Sequence, residues 1–129
     1  MIGLSQKLLS DKKNLDVFFS PTHYLPLTTP VPSAVSILDV SYLKYPQLFN
    51  KRDLYQLRFW GGWSVKKAKK ILTISNSSKD GIIEAYGVSP EKVTVVYPGI
   101  SPKEEIKNME ELTKKYNIKG KYILFVGTL

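Results

Sequence analysis

The sequence predicts an α/β fold, part of a doubly wound and mainly parallel sheet. Short apolar runs recur along the chain at Asp16–Phe19, Ala34–Leu38, Ile71–Ile74, Val93–Val96 and Tyr122–Val126. They are continuously apolar instead of alternating, as strands buried on both faces are. Segments with helical spacing or turn residues separate them, and strands alternating with helices imply a parallel sheet covered on both sides.

Taken in order, Leu4, Leu8 and Leu9 have helical spacing, and the polar stretch Ser10–Asn14 ends that helix. Asp16-Val17-Phe18-Phe19 is a short strand closed by Ser20-Pro21. The proline-rich stretch Pro21–Pro32 is excluded from helix and reads as a surface loop. Ala34-Val35-Ser36-Ile37-Leu38 is the second strand, with Asp39 at its end. A helix spans about Lys51 to Lys70, with Leu54, Leu57, Val65 and Ala68 along one side. Gly61-Gly62 interrupts it at up to about 1 kcal/mol per glycine relative to alanine; a kink and close helix packing both remain open as the reason. Ile71-Leu72-Thr73-Ile74 is the third strand. Ser77 with Asp80 opens the next helix, which runs to Tyr86 and ends at Gly87, with Val88 and Pro90 beyond. Val93–Val96 is the fourth strand, stopped by Pro98-Gly99, and a short helix lies near Met109–Tyr116. Tyr122–Val126 is the fifth strand, running into Gly127-Thr128-Leu129.

Composition narrows the function. With 43% hydrophobic and 23% charged residues the chain falls among soluble globular domains. The absence of cysteine removes disulfides and thiolate metal sites, and a single histidine, His23, offers no zinc cluster. No metal and no cofactor are expected. No apolar run approaches the ~20 residues of a membrane span, and no long apolar leader opens the chain. A cytoplasmic location is therefore expected, with peripheral attachment to the membrane left open.

The net charge of +8 calls for an anionic partner. Between Lys51 and Lys70, seven cations stand against Asp53 alone, a local charge of +6. Lys66, Lys67, Lys69 and Lys70, together with Phe59, Trp60 and Trp63, form a candidate surface for anionic lipid. A plainly solvated helix face and ordinary core aromatics are the competing readings. No helix-turn-helix spacing or aromatic RNA-binding signature is present, so nucleic acid is not expected.

Five stretches, in family order across nearly the whole chain, carry a family resemblance. Ile71-Leu72-Thr73-Ile74-Ser75-Asn76-Ser77-Ser78-Lys79-Asp80 and Tyr86–Gly99 resemble the end of the N-terminal domain in family 4 glycosyltransferases. Asp16–Pro21, and Asp39-Val40-Ser41-Tyr42 with Pro46, are similar to earlier signposts of that domain. Tyr122–Leu129 looks like the first strand of the donor domain with its glycine loop just begun.

The resemblance implies a retaining enzyme of the two-domain GT-B type. Such enzymes move a sugar from a nucleotide-diphosphate donor to a glycan or lipid-linked acceptor. It implies a division into residues 1–97 of a Rossmann-like acceptor-side domain, a linker and short helix over 98–121, and donor-domain strand 122–129. On this reading the chain is truncated at both ends and inactive alone. The alternative is a non-catalytic basic module that docks on membranes.

Four positions are the site candidates. Asp39, at a strand end, is placed to orient an acceptor hydroxyl, though an aspartate there also serves as a cap. Ser75 and Ser77, at a helix N-terminus, are placed to meet an anion or simply to cap. Gly127 lets the backbone approach a diphosphate. The family usually has histidine just before the strand-end aspartate; here that residue is Leu38, which neither hydrogen-bonds nor exchanges protons. His23 belongs to a different loop and is no obvious replacement.

Overall fold

Four strands, β1 (Phe18–Ser20), β2 (Ser33–Ser36), β3 (Lys70–Thr73) and β4 (Val93–Val95), form one sheet in the order β1-β2-β3-β4. Every neighbouring pair is parallel, with Ser20 opposite Val35, Val35 opposite Ile71, and Ile71 opposite Val93. The computed structural model describes residues 2–101 and 109–127. It divides into two units, Met1–Pro98 and Gly99–Leu129. Residues 102–108 of the expected linker, and Thr128-Leu129, lie outside the described residues.

Four of the five expected strands are present, each shifted or shortened by one or two residues. Hydrogen bonding continues past two of them, with Ile37 N donating to Leu72 O at 2.8 Å and Val96 N to Thr73 O at 2.8 Å. Around the sheet are α1 (Ile2–Ser10), α2 (Ser41–Lys44), α3 (Lys51–Gln56), α4 (Gly62–Lys67) and α5 (Asn76–Tyr86).

Strand pleating decides what is buried. Val35, Ile37, Ile71 and Val93 point to one face, where they meet Val40, Tyr42, Val65, Ala68 and Ile82 in the core. The alternate positions Phe19, Ser36, Leu72, Ile74 and Val96 line a shallow cavity of about 170 Å³ on the other face. Cover on both faces was expected, but among the described residues the main core lies on one. The cause is topological. Consecutive strands joined by right-handed crossovers place every connecting helix on the same side.

The expected helix over Lys51–Lys70 is two α-helical pieces joined by a π-helical turn at Leu57–Gly61. It starts at Asn50, whose Oδ1 accepts from Asp53 N at 2.8 Å. Such turns leave carbonyls without their usual partners. Ser64 Oγ answers this by donating to Trp60 O at 2.7 Å and accepting from Leu25 N at 2.8 Å. One buried hydroxyl thereby ties the turn to the proline-rich loop, and Leu25 beside it is fully buried. Both glycines also allow close approach. A β-carbon on Gly61 would meet the Tyr42 hydroxyl at 3.4 Å, and one on Gly62 would meet Tyr86 Cε1 at 3.3 Å. The bulge and the close packing thus coexist.

In the Gly99–Leu129 unit, α6 (Met109–Lys115) ends with Asn117 at a φ of 50°. Ile118 N donates back to Thr113 O at 2.9 Å, the left-handed stop that usually employs glycine. Tyr122–Val126 forms no strand, and Ile123 and Phe125 are 100% and 80% exposed. An apolar, β-branched run becomes a strand only where another strand satisfies its backbone.

Candidate functional site

In a parallel sheet, ligands lie beyond the carboxyl ends of the strands. Three of the described strands deliver polar residues there. His23 follows β1, Asp39 follows β2, and Ser75 follows β3 directly.

Asp39 Oδ1 accepts from Ser41 N at 2.8 Å and from Ser41 Oγ at 2.6 Å, which fixes the start of α2. These bonds close a turn just ahead of α2, and Asp39 remains exposed. It also lines a cavity of about 250 Å³ with Val40, Ser41, Lys44, Tyr45, Ser77 and Ser78. Asp39 and Ser77, far apart in sequence, are thus brought to one hollow, and Lys44 adds a cation that the sequence reading did not single out. Its signal was available: Lys44 lies one helical turn beyond Ser41 in the short helix that Asp39 starts.

Ser75 caps α5. Its backbone is extended and its Oγ accepts from Ser78 N at 3.0 Å. The expected cap pair, Ser77 with Asp80, is displaced because the helix begins at Asn76, straight off the strand. Ser77 is instead an exposed residue of the first turn, facing the cavity. At the far end Gly87 takes φ 62°, as its place after Tyr86 predicts.

His23 is nearer to Asp39 than the sequence suggests. The Ser20 hydroxyl draws the loop after β1 into a tight turn, donating to Tyr24 O at 2.7 Å and pairing with Thr22 Oγ1 at 3.1 Å. The half-buried imidazole then lies against Asp39. Burial holds its pKa below the ordinary histidine value, while the Asp39 charge and a hydrogen bond to the Asp39 backbone oppose that shift. Leu38 is 42% exposed, and its backbone carbonyl accepts from Thr73 Oγ1 at 3.3 Å.

Tyr42 of α2 and Tyr86 of α5 share a hydroxyl–hydroxyl hydrogen bond. Burial raises both pKa values, most strongly that of Tyr42.

Gly127 belongs to the Gly99–Leu129 unit, where a β-carbon would collide with the Phe125 ring at 2.6 Å. Lys66 and Lys67 close α4, while Lys69 and Lys70 enter β3 at its amino end. A helix crossing between parallel strands runs antiparallel to them, so these lysines stand at the opposite end of the sheet from Asp39. Lys70 Nζ donates to Glu91 O at 2.7 Å. Among the described residues no group of three His, Cys, Asp or Glu side chains is placed to hold a metal. No described helix is long and apolar enough to cross a membrane.

Comparison with known proteins agrees with this architecture. The family model for Glycosyltransferase Family 4 matches residues 11–104. The O-antigen chain mannosyltransferase RfbU of Salmonella typhimurium (strain LT2) is 28% identical over 124 residues, covering 96% of this chain and 32% of that protein. The chain spans about a third of that relative's length. A parallel sheet with polar strand ends, matched over most of its length by that family model, places this chain in glycosyltransferase family 4.

Proposed function

We propose that this chain supplies the acceptor side of a sugar-transfer cleft. The enzyme it serves uses a nucleotide-diphosphate sugar and transfers with retention. The observation that carries the proposal is the hollow at the carboxyl ends of β2 and β3, where Asp39, Ser41, Lys44 and Ser77 converge. In this role the Asp39 carboxylate accepts from a sugar hydroxyl, and Ser41 holds it in place. The amides of the first α5 turn, beside Ser75 and Ser77, favour negative charge on the donor. Gly127 is assigned to the donor loop by the resemblance alone. Leu38 contributes no proton transfer, so general acid–base work at that position is absent from the proposal.

A mannoside is the first sugar to test, since the relative is named a mannosyltransferase. Amide spectra of the ¹⁵N-labelled chain, titrated with a mannoside acceptor, should shift Asp39, Ser41, Lys44, Ser77 and Ser78. The shifts should vanish in Asp39→Ala. Shifts that avoid this hollow, or that persist in the variant, would sink the acceptor assignment.

A further inference from the structure

Away from the hollow, α3 and the π turn carry a second surface. Lys51, Leu54, Tyr55, Arg58 and Phe59 recur at helical spacing and line an open groove of about 460 Å³. Leu54 forms its floor, since that side chain also packs against the core. Tyr55 and Phe59 are 67% and 54% exposed, with rings stacked at 5.9 Å and only 2° between planes. Phe59 continues edge-on to Trp60 at 5.1 Å, and Trp60 to Trp63 at 6.4 Å. An aromatic ladder therefore runs from solvent to Trp63, which packs on the core. Lys51, Arg52 and Arg58 are exposed and unpaired by any carboxylate among the described residues. The neighbouring Asp53 is hydrogen-bonded to Asn50.

We propose that this face, and not the Lys66–Lys70 cluster, docks on an anionic lipid bilayer. Its parts match that solvent in depth. The apolar floor and rings suit the acyl boundary, and the three cations suit the phosphate layer. A second copy of the chain fits poorly, because a two-fold contact would set these cations against themselves. Single-stranded nucleic acid fits less well than lipid, because Tyr55 and Phe59 stack on each other and leave only their outer faces to bases. The docking does not rest on sugar transfer: a chain that bound vesicles and ignored sugars would leave it standing.

Trp60 and Trp63 are the chain's two tryptophans, so their emission reports on this helix. Vesicles of phosphatidylcholine with phosphatidylglycerol should bind the chain and shift that emission to the blue. Pure phosphatidylcholine should bind at least about tenfold more weakly, and added salt should weaken the anionic arm. Arg58→Glu, and separately Tyr55→Ser with Phe59→Ser, should each lower vesicle affinity about tenfold or more. Lys66→Glu with Lys67→Glu should lower it less than threefold. All these side chains are exposed, and circular dichroism checks that each variant folds. Equal losses in the Arg58 and Lys66/Lys67 variants would mean diffuse charge attraction and overturn the assignment. Tight binding of an oligouridylate that is lost with Arg58→Glu, without vesicle binding, would assign the face to nucleic acid and overturn it equally.

Discussion

His23 and Asp39 each stand three residues beyond the ends of adjacent parallel strands, and the His23 imidazole rests against the Asp39 backbone. Burial is the larger influence on the imidazole and disfavours its protonated form, while Asp39 partly offsets this.

His23 is the chain's one histidine, so its proton signals are unambiguous. Titration by NMR should give a pKa below the ordinary value, and Asp39→Asn should lower it further by removing the favourable charge. A histidine with a depressed folded-state pKa contributes stability above its unfolded pKa, and that stability is lost as pH falls through the folded value. Urea midpoints should therefore drop on acidification through this window, and His23→Gln should flatten that part of the curve. A pKa above the ordinary value would contradict the burial described.

The Tyr42–Tyr86 pair makes a second prediction. Tyr42 is 2% exposed, so removing the Tyr86 hydroxyl leaves a buried hydroxyl unmatched. Tyr86→Phe and Tyr42→Phe should each cost about 1–3 kcal/mol. The double substitution should cost clearly less than the sum, because it removes both partners together. Denaturant unfolding of the four proteins measures the coupling, and strict additivity would refute a shared bond.

Glycine positions in helices separate two effects. Alanine in a helix interior gains about 1 kcal/mol over glycine. At Gly81 the new β-carbon would lie 2.9 Å from Val40 Cγ2, inside the core, and such overpacking costs about 1–3 kcal/mol. At Gly62 the nearest atom is the Tyr86 ring edge at 3.3 Å. Gly81→Ala should destabilise the chain and Gly62→Ala should come out close to neutral, as compared by urea midpoints.

Nucleotide-sugar binding by this chain should be weak. A diphosphate needs several cations or amide clusters, and among the described residues Lys44 is the one cation lining the Asp39 hollow. Calorimetric titration with UDP- and GDP-sugars should show nothing tighter than about millimolar, ~4 kcal/mol. Micromolar affinity would reveal a donor site built from other residues of this chain.

The parallel sheet was legible because strand identity lies in local apolar runs such as Ile71–Ile74, bounded by turn residues. Gly87 was legible for the same reason, since a left-handed helix stop depends on one residue and its neighbours. What escaped depends on distant parts of the chain. The approach of His23 to Asp39 follows from β1–β2 register and the Ser20 turn, neither of which a local pattern records. Lys44 joins the hollow only once α5 is packed beside α2. Tyr122–Val126 has strand composition, yet composition supplies no hydrogen-bonding neighbour. Ser75 outcompeted Ser77 as the cap because β3 delivers the chain already extended, a constraint from the preceding element.

The π turn at Leu57–Gly61 bears on how the chain tolerates a change of length. A ring closed over five residues holds one more residue than an α-helical turn, while the helix on each side keeps its facing. Chain length and orientation are therefore uncoupled at this point. Excising one residue there would let α3 run into α4 as an unbroken α-helix, with Leu54 and Val65 still turned toward the sheet. A single-residue deletion within Leu57–Gly61 would therefore leave both flanking helices facing as they do now, while Ser64 ties the wider turn to the loop at Leu25.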